Sequence, residues 1–239
     1  MTEGRHVTVT DGRHVTVTDG RHVTVAEDAV TVDSVREFLA EARGGVVPIV
    51  AAGHPVLRSR AARYAGQLDT DTFAELIEVM RATMRGAPGV GLAAPQIGIP
   101  LQVAVIEDLY EVGADVAHVR ERTPLPFRVL VNPRYTPVGS QTVSFFEGCL
   151  SVPGYQAVVT RAREVRLECT DELGREIDEV LRGWPARIVA HETDHLDGTL
   201  YIDTAHTRSL TTSEQYGELW SDPTPERAAK ALGFSVDPR

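Results

Sequence analysis

His191-Glu192-Thr193-Asp194-His195 sets two imidazoles four residues apart, with a carboxylate beside the first. Residues at i and i+4 share a helix face, so His191 and His195 can offer nitrogen atoms to one metal ion. Glu192 can then reach a water beside that ion and act as general base. The same five residues also arise on an exposed polar helix, so the pattern alone leaves both readings open. A hydrolytic centre further requires a third protein ligand and an open coordination position.

Three arrangements compete for that third ligand. One protease pattern places His six residues after the second His, with Gly three after it; Gly198 fits, but position 201 is Tyr. A second pattern uses a later Glu, and Glu218-Leu219-Trp220-Ser221-Asp222 partly imitates it, with Gly217 where Asn would stand. The third candidate is Cys149, in Glu147-Gly148-Cys149-Leu150-Ser151. A thiolate binds divalent iron or zinc tightly and comes from a separate element, which makes Cys149 the strongest candidate. The alternatives to a Cys149-based hydrolase are thus a zinc metalloprotease with Glu218 as third ligand, or a closed structural metal-binding module. Glu192 beside the first His argues against the module. Cys169 ends Val165-Arg166-Leu167-Glu168-Cys169, which alternates like a half-buried strand, and reads as a core residue. Two cysteines are too few for a disulfide framework.

These side chains need a scaffold. Pro185 to Asp197 predicts a helix, with Pro near its first position and Gly198 just past its end. Asp71 to Arg85 predicts another, with Phe73, Leu76, Ile77, Met80 and Met84 on one face and Thr72 and Glu75 as a capping box. Residues 32–43 suggest a short helix through Val35, Phe38 and Leu39, stopped by Gly44-Gly45. Strands are expected at Leu101–Ile106, Val129–Val131, Ala157–Thr160 and Glu164–Cys169, with a Gly/Pro-rich loop over Gly86–Gly98 and a turn at Asp171–Gly174. The expected fold is α+β, with short antiparallel strands around a central helix that carries the metal-binding motif.

Residues 1–27 hold an eight-residue repeat, Gly4–Asp11 recurring as Gly12–Asp19 and, with two changes, Gly20–Glu27. Its valines are too few for a stable ribbon, so residues 1–45 are expected to be an N-terminal extension. The repeat explains His6, His14 and His22 without a metal site. A catalytic domain over 46–205 and a C-terminal tail over 206–239 complete the expected organisation.

Three separated segments carry a resemblance. Gly89-Val90-Gly91-Leu92-Ala93-Ala94-Pro95-Gln96-Ile97-Gly98, Glu147–Ser151 and His191–His195 stand in the order of the three motifs of polypeptide deformylases, and the sequence resembles that family from about Val46 through Tyr201. Leu150 matches the bacterial form of the second motif. Ala190 and Thr193 depart from the family's usual Gln and hydrophobic residue, at positions that supply neither ligand nor base. The resemblance implies a metal set of Cys149, His191 and His195 with Glu192 as base. It also implies Gln96 and the Leu150 backbone N–H as oxyanion donors, and substrate pairing at the Gly91 backbone. The implied metal is Fe2+, with Zn2+ able to take its place. The implied substrate is an N-formylmethionyl nascent peptide, released as formate and a free N-terminus, with a transient ribosome contact compatible with that role.

Bulk properties agree. A net charge of −10 argues against a nucleic-acid-binding face, and no apolar run approaches the roughly 18 residues of a membrane span. No signal peptide is visible, so the expected location is cytoplasmic.

Overall fold

The computed structural model describes residues 30–42 and 45–236. The eight-residue repeat and its histidines lie outside them. The helix at the N-terminal side, α1 (Val32–Ala40), buries Val35, Phe38 and Leu39 as expected. It is followed by α2 (Thr70–Arg85). Asp69, rather than Thr72, caps α2, its carboxylate accepting from the Thr72 N–H at 2.9 Å. An anionic cap satisfies a free N–H and also complements the helix dipole. Arg36 of α1 donates to both Asp69 (2.8 Å) and the Thr72 hydroxyl (3.0 Å), tying the two helices together.

Next come β1 (Gly91–Ala93), β2 (Val103–Asp108), the short helix α3 (Ala114–Val119) and β3 (Leu125–Pro137). They precede β4 (Thr142–Cys149), β5 (Val152–Ala162), β6 (Glu164–Thr170) and β7 (Glu176–Arg182). Then α4 (Trp184–Leu196) carries the two histidines, and β8 (Thr211–Thr212), the single turn α5 (Ser213–Gln215) and α6 (Glu226–Leu232) finish the chain. The pairings between these strands are antiparallel and form two sheets among the described residues, ordered β1-β2-β3-β6-β7 and β4-β5-β8.

β1, β2 and the Val129–Val131 stretch of β3 are buried on both faces, which explains the unbroken apolar run in β2. Side chains alternate along a strand. Leu92, Val103, Val105, Val129 and Val131 therefore pack with α1 and α2. Ala93, Ala104, Ile106 and Leu130 pack with Ile188, Val189 and Leu196 of α4. The register Leu92↔Val105↔Val129 and Ala93↔Ala104↔Leu130 keeps each set on its own face. A one-residue slip would exchange them.

The helix α4 thus lies between the large sheet and the β4–β5 hairpin, enclosed on nearly every side. Glycines bound it. Gly183 precedes it at φ +66°, and Gly198 follows at φ +76°. Beyond it, β8 pairs with β5, and Ala228 of α6 packs with Phe146 and Val158. Among the described residues no helix is long and apolar enough to cross a membrane.

A Cβ at Gly198 would stand 2.8 Å from the backbone carbonyl carbon of Arg58, in a left-handed conformation that L side chains rarely adopt. Gly198→Ala is expected to cost roughly 1–3 kcal/mol. Thermal unfolding checks this, with the midpoint falling by roughly 3–10 °C.

Candidate metal centre

Two elements converge on one point. The β4–β5 hairpin turns through Leu150-Ser151, and Cys149 pairs with Val152 at its tip after a register shift at Gly148. That irregularity delivers Cys149 to α4, where its Sγ lies 3.3 Å from His195 Nε2. The rings of His191 and His195 are 4.9 Å apart and nearly perpendicular, at 82°. One donor atom from each of Cys149, His191 and His195 lies within 4.8 Å of the others. A thiolate and two imidazoles form a donor set for a divalent transition metal.

Orientation comes from a buried charge cluster. His191 Nδ1 is 3.0 Å from Glu147 Oε2, which leaves Nε2 to face the site. Glu147, only 5% exposed, also receives a bidentate pair from Arg161 at 2.7 and 3.1 Å and a further bond from Arg187. Burial alone would raise its carboxyl, but Arg161 and Arg187 outweigh that and hold it well below the usual carboxylate range. Arg161 reaches on to Asp194 at 2.7 Å, and Tyr135 donates to the same carboxylate at 2.9 Å. Arg187 donates to the carbonyls of Val159 (3.1 Å) and Val143 (2.6 Å), stitching α4 to the hairpin.

Glu192 stands apart from that cluster. Burial raises its carboxyl to about 7, with His191 and Arg161 opposing the rise. Its Oε2 is buried without a protein partner. Against its other oxygen lies the backbone of Gly91, where a Cβ would overlap the carboxylate. Burial lowers His195 well below the usual imidazole value. A neutral ring is the form that ligates metal. Gln96 follows β1 on a 3-10 turn and is buried; its Oε1 accepts from the Ala93 N–H at 2.8 Å. Its Nε2 is thereby aimed at Ser151 Oγ (3.3 Å) and Cys149 Sγ (3.5 Å). Leu150 and Gly91 both line the cleft that opens over these groups, a volume of about 650 Å3.

Cys149, His191, Glu192, Gln96, Leu150 and Gly91 therefore line one cleft, and the buried His195 joins Cys149 and His191 in the donor cluster. Glu218 is not among them: it is exposed, on a π-helical turn of the C-terminal segment, and accepts from Gln215 at 3.0 Å. Among the described residues the metal-ligating cluster holds three side chains and no fourth, so a closed structural site is not formed. Tyr201, standing where a third His was sought, is a buried ring stacked near His191 at 6.2 Å. Cys169 is half-buried against the core, and desolvation pushes its thiol up to about 11, as suits an inert residue. Neither Arg161 nor Arg187 stood out in the sequence. A charged residue at an otherwise apolar helix position, such as Arg187 between Ala186 and Ile188, was the available signal.

The sequence pattern of the family described as Polypeptide deformylase matches residues 46–210. Peptide deformylase 1 of Streptomyces coelicolor is 60% identical over 204 residues, which is 85% of this chain and 93% of that one. Peptide deformylase 1 of Bifidobacterium longum is 53% identical over 192 residues, 80% of this chain and 88% of that one. Among solved structures, a class I type b peptide deformylase of Acinetobacter baumannii bound to Met-Ala-Ser superposes with a TM-score of 0.60 at 33% identity, over 66% of this chain and 98% of that one. A peptide deformylase of Synechococcus elongatus in complex with actinonin superposes at 0.56 and 32% identity, over 80% of this chain and 90% of that one.

Removing the Glu147 charge would leave Arg161 and Arg187 buried with insufficient compensation. Glu147→Gln is expected to cost about 3–5 kcal/mol, the usual result of breaking a buried ion pair from one side. Denaturant unfolding of the variant checks it; a loss below about 1 kcal/mol would show the cluster to be energetically idle.

Proposed function

This chain belongs to the polypeptide deformylase family and is a metal-dependent hydrolase that removes the formyl group from N-formylmethionine of nascent polypeptides, and we propose that the reaction runs at Cys149, His191 and His195 with Glu192 moving the protons. The observation that carries this assignment is the convergence of one thiol and two imidazoles within 4.8 Å, beside a buried carboxylate that is not itself part of the cluster. The catalytic unit is residues 46–205, which hold every side chain named in the chemistry.

The donor set fits a metal ion. His191 is oriented by Glu147, His195 is held neutral, and Glu192 Oε2 has an unfilled hydrogen-bonding capacity facing buried space. A divalent cation held by Cys149, His191 and His195 would supply Lewis acidity, bringing water within reach of deprotonation at neutral pH. We assign Fe2+ as the native ion, with Zn2+ accommodated by the same ligands.

The remaining work falls to the chain itself. The Glu192 carboxylate takes a proton from the attacking water as its oxygen bonds to the formyl carbon. The formyl oxygen then bears negative charge, and the Gln96 Nε2–H and the Leu150 backbone N–H are the donors for it. Breaking the C–N bond releases formate, and Glu192 returns its proton to the departing peptide nitrogen, giving a free N-terminus. Gln96 is suited to its part because the Ala93 N–H fixes its amide orientation. β1 is the outermost strand of its sheet, so its free edge at Gly91 can pair with an extended peptide. The absence of a side chain there keeps Glu192 in place. A cytoplasmic location and a transient contact with the ribosome follow from a substrate that is a nascent chain.

Glu192→Ala is expected to retain bound metal while formate release falls by roughly 10²–10⁴-fold. Cys149→Ser is expected to lose both metal and activity, whereas Glu218→Ala keeps both, since a hydroxyl ligates far more weakly than a thiolate. Metal content by elemental analysis and formate release from a formyl-methionyl peptide measure the outcome. A metal-replete, active Cys149→Ser protein would overturn the ligand assignment.

A further inference from the structure

The segment beyond residue 210 lies outside the matched family region, yet it reaches the cleft. Thr212 and Thr211 of β8 pair with Tyr155 and Gln156 of β5, both of which line the cleft. Thr212 then caps the next turn, its hydroxyl accepting from the Gln215 N–H at 3.2 Å. The chain is thereby set so that Ser213 and Tyr216 join the lining. The Tyr216 ring packs edge-on against Phe146, with centroids 5.1 Å apart at 61°. Phe146 is buried and stands one residue before Glu147, so it points to the strand face opposite α4.

We propose that Tyr216 is a specificity-determining residue, its ring and that of Phe146 forming an apolar platform for the side chain that follows formyl-methionine. This rests on the deformylase reaction proposed above. An extended peptide turns successive side chains to opposite sides. Trp184, Ile188, Phe146 and Tyr216 all line the cleft; in the proposed pose the methionine side chain enters beside Trp184 and Ile188 of α4, and the second side chain turns the other way, toward Phe146 and Tyr216. Neither Ser213 nor Tyr216 carries a charge, so the side chain that gains most there is aromatic or large and apolar. Tyr216 retains partial exposure, which leaves ring surface for that contact.

The test compares formyl-Met-Phe and formyl-Met-Gly peptide amides on the full-length, metal-loaded enzyme. Wild type is expected to favour the Phe substrate in kcat/KM. Tyr216→Ala is expected to cut that preference by about three- to tenfold, the scale of one aromatic contact. The change should appear in KM for the Phe substrate, with the Gly substrate within about twofold of wild type and the preference retained in Tyr216→Phe. An unchanged ratio in Tyr216→Ala, or an equal loss on both substrates, would overturn the proposal, the latter by showing a merely structural role. Absence of formate release from both peptides by wild type would instead remove the deformylase reaction, and this proposal with it.

Discussion

Glu147 is a carboxylate taken fully out of water, and the arrangement of this centre depends on how that charge is met. Two guanidiniums and one imidazole converge on its two oxygens. Such a cluster adds little net stability over an apolar core, because desolvation offsets most of the Coulomb attraction. What it supplies is direction. Arg161 and Glu147 come from the paired strands of the hairpin, while Arg187 and His191 come from α4. Satisfying all of them at once leaves few relative positions of hairpin and helix, and Cys149 at the hairpin tip is placed by the same constraint. Asp194 extends it, since Arg161 bridges the two carboxylates and Tyr135 of β3 donates to the second.

The contrast between Glu147 and Glu192 illustrates how environment assigns roles. Both carboxylates are buried. Facing two guanidiniums, Glu147 stays ionised and structural. Glu192 has more distant cations and one unpartnered oxygen, so desolvation dominates and its affinity for a proton rises. A group that both accepts and returns a proton needs that second kind of setting. Gly91 completes it, because any side chain on β1 at this point would displace the carboxylate.

The cleft is a joint between two sheets. Its one side is the edge of the larger sheet at β1, and its other is the hairpin of the smaller sheet. β8 covers the outer edge of β5, which both removes an exposed strand edge and brings the C-terminal segment to the rim of the cleft. A segment that carries none of Cys149, His191 and His195 thereby becomes part of the cleft lining.

Much of the candidate metal centre is legible in the sequence because its signals are local. Two histidines at i and i+4 share a helix face whatever the rest of the chain does, and Pro185 and Gly198 bound that helix within one residue of where it runs. The apolar alternation in α1 and α2 and the β2 run were similarly readable, since burial repeats with the period of the element. Other features have no local signature. β4, containing Phe145 and Phe146, and the half-exposed β7 went unread: the first interrupts its alternation at adjacent aromatics, and the second exposes charged residues on one face. The Asp69 cap escaped notice because Thr72 offered an equally plausible start. Only tertiary structure decided which residues meet Glu147, since Arg161 lies 14 positions away and Arg187 lies 40 positions away. It also decided that Glu218 stays in solvent while Tyr216, two residues earlier, turns inward. Periodicity records which face of an element is buried; the partner it is buried against depends on contacts made across the whole chain.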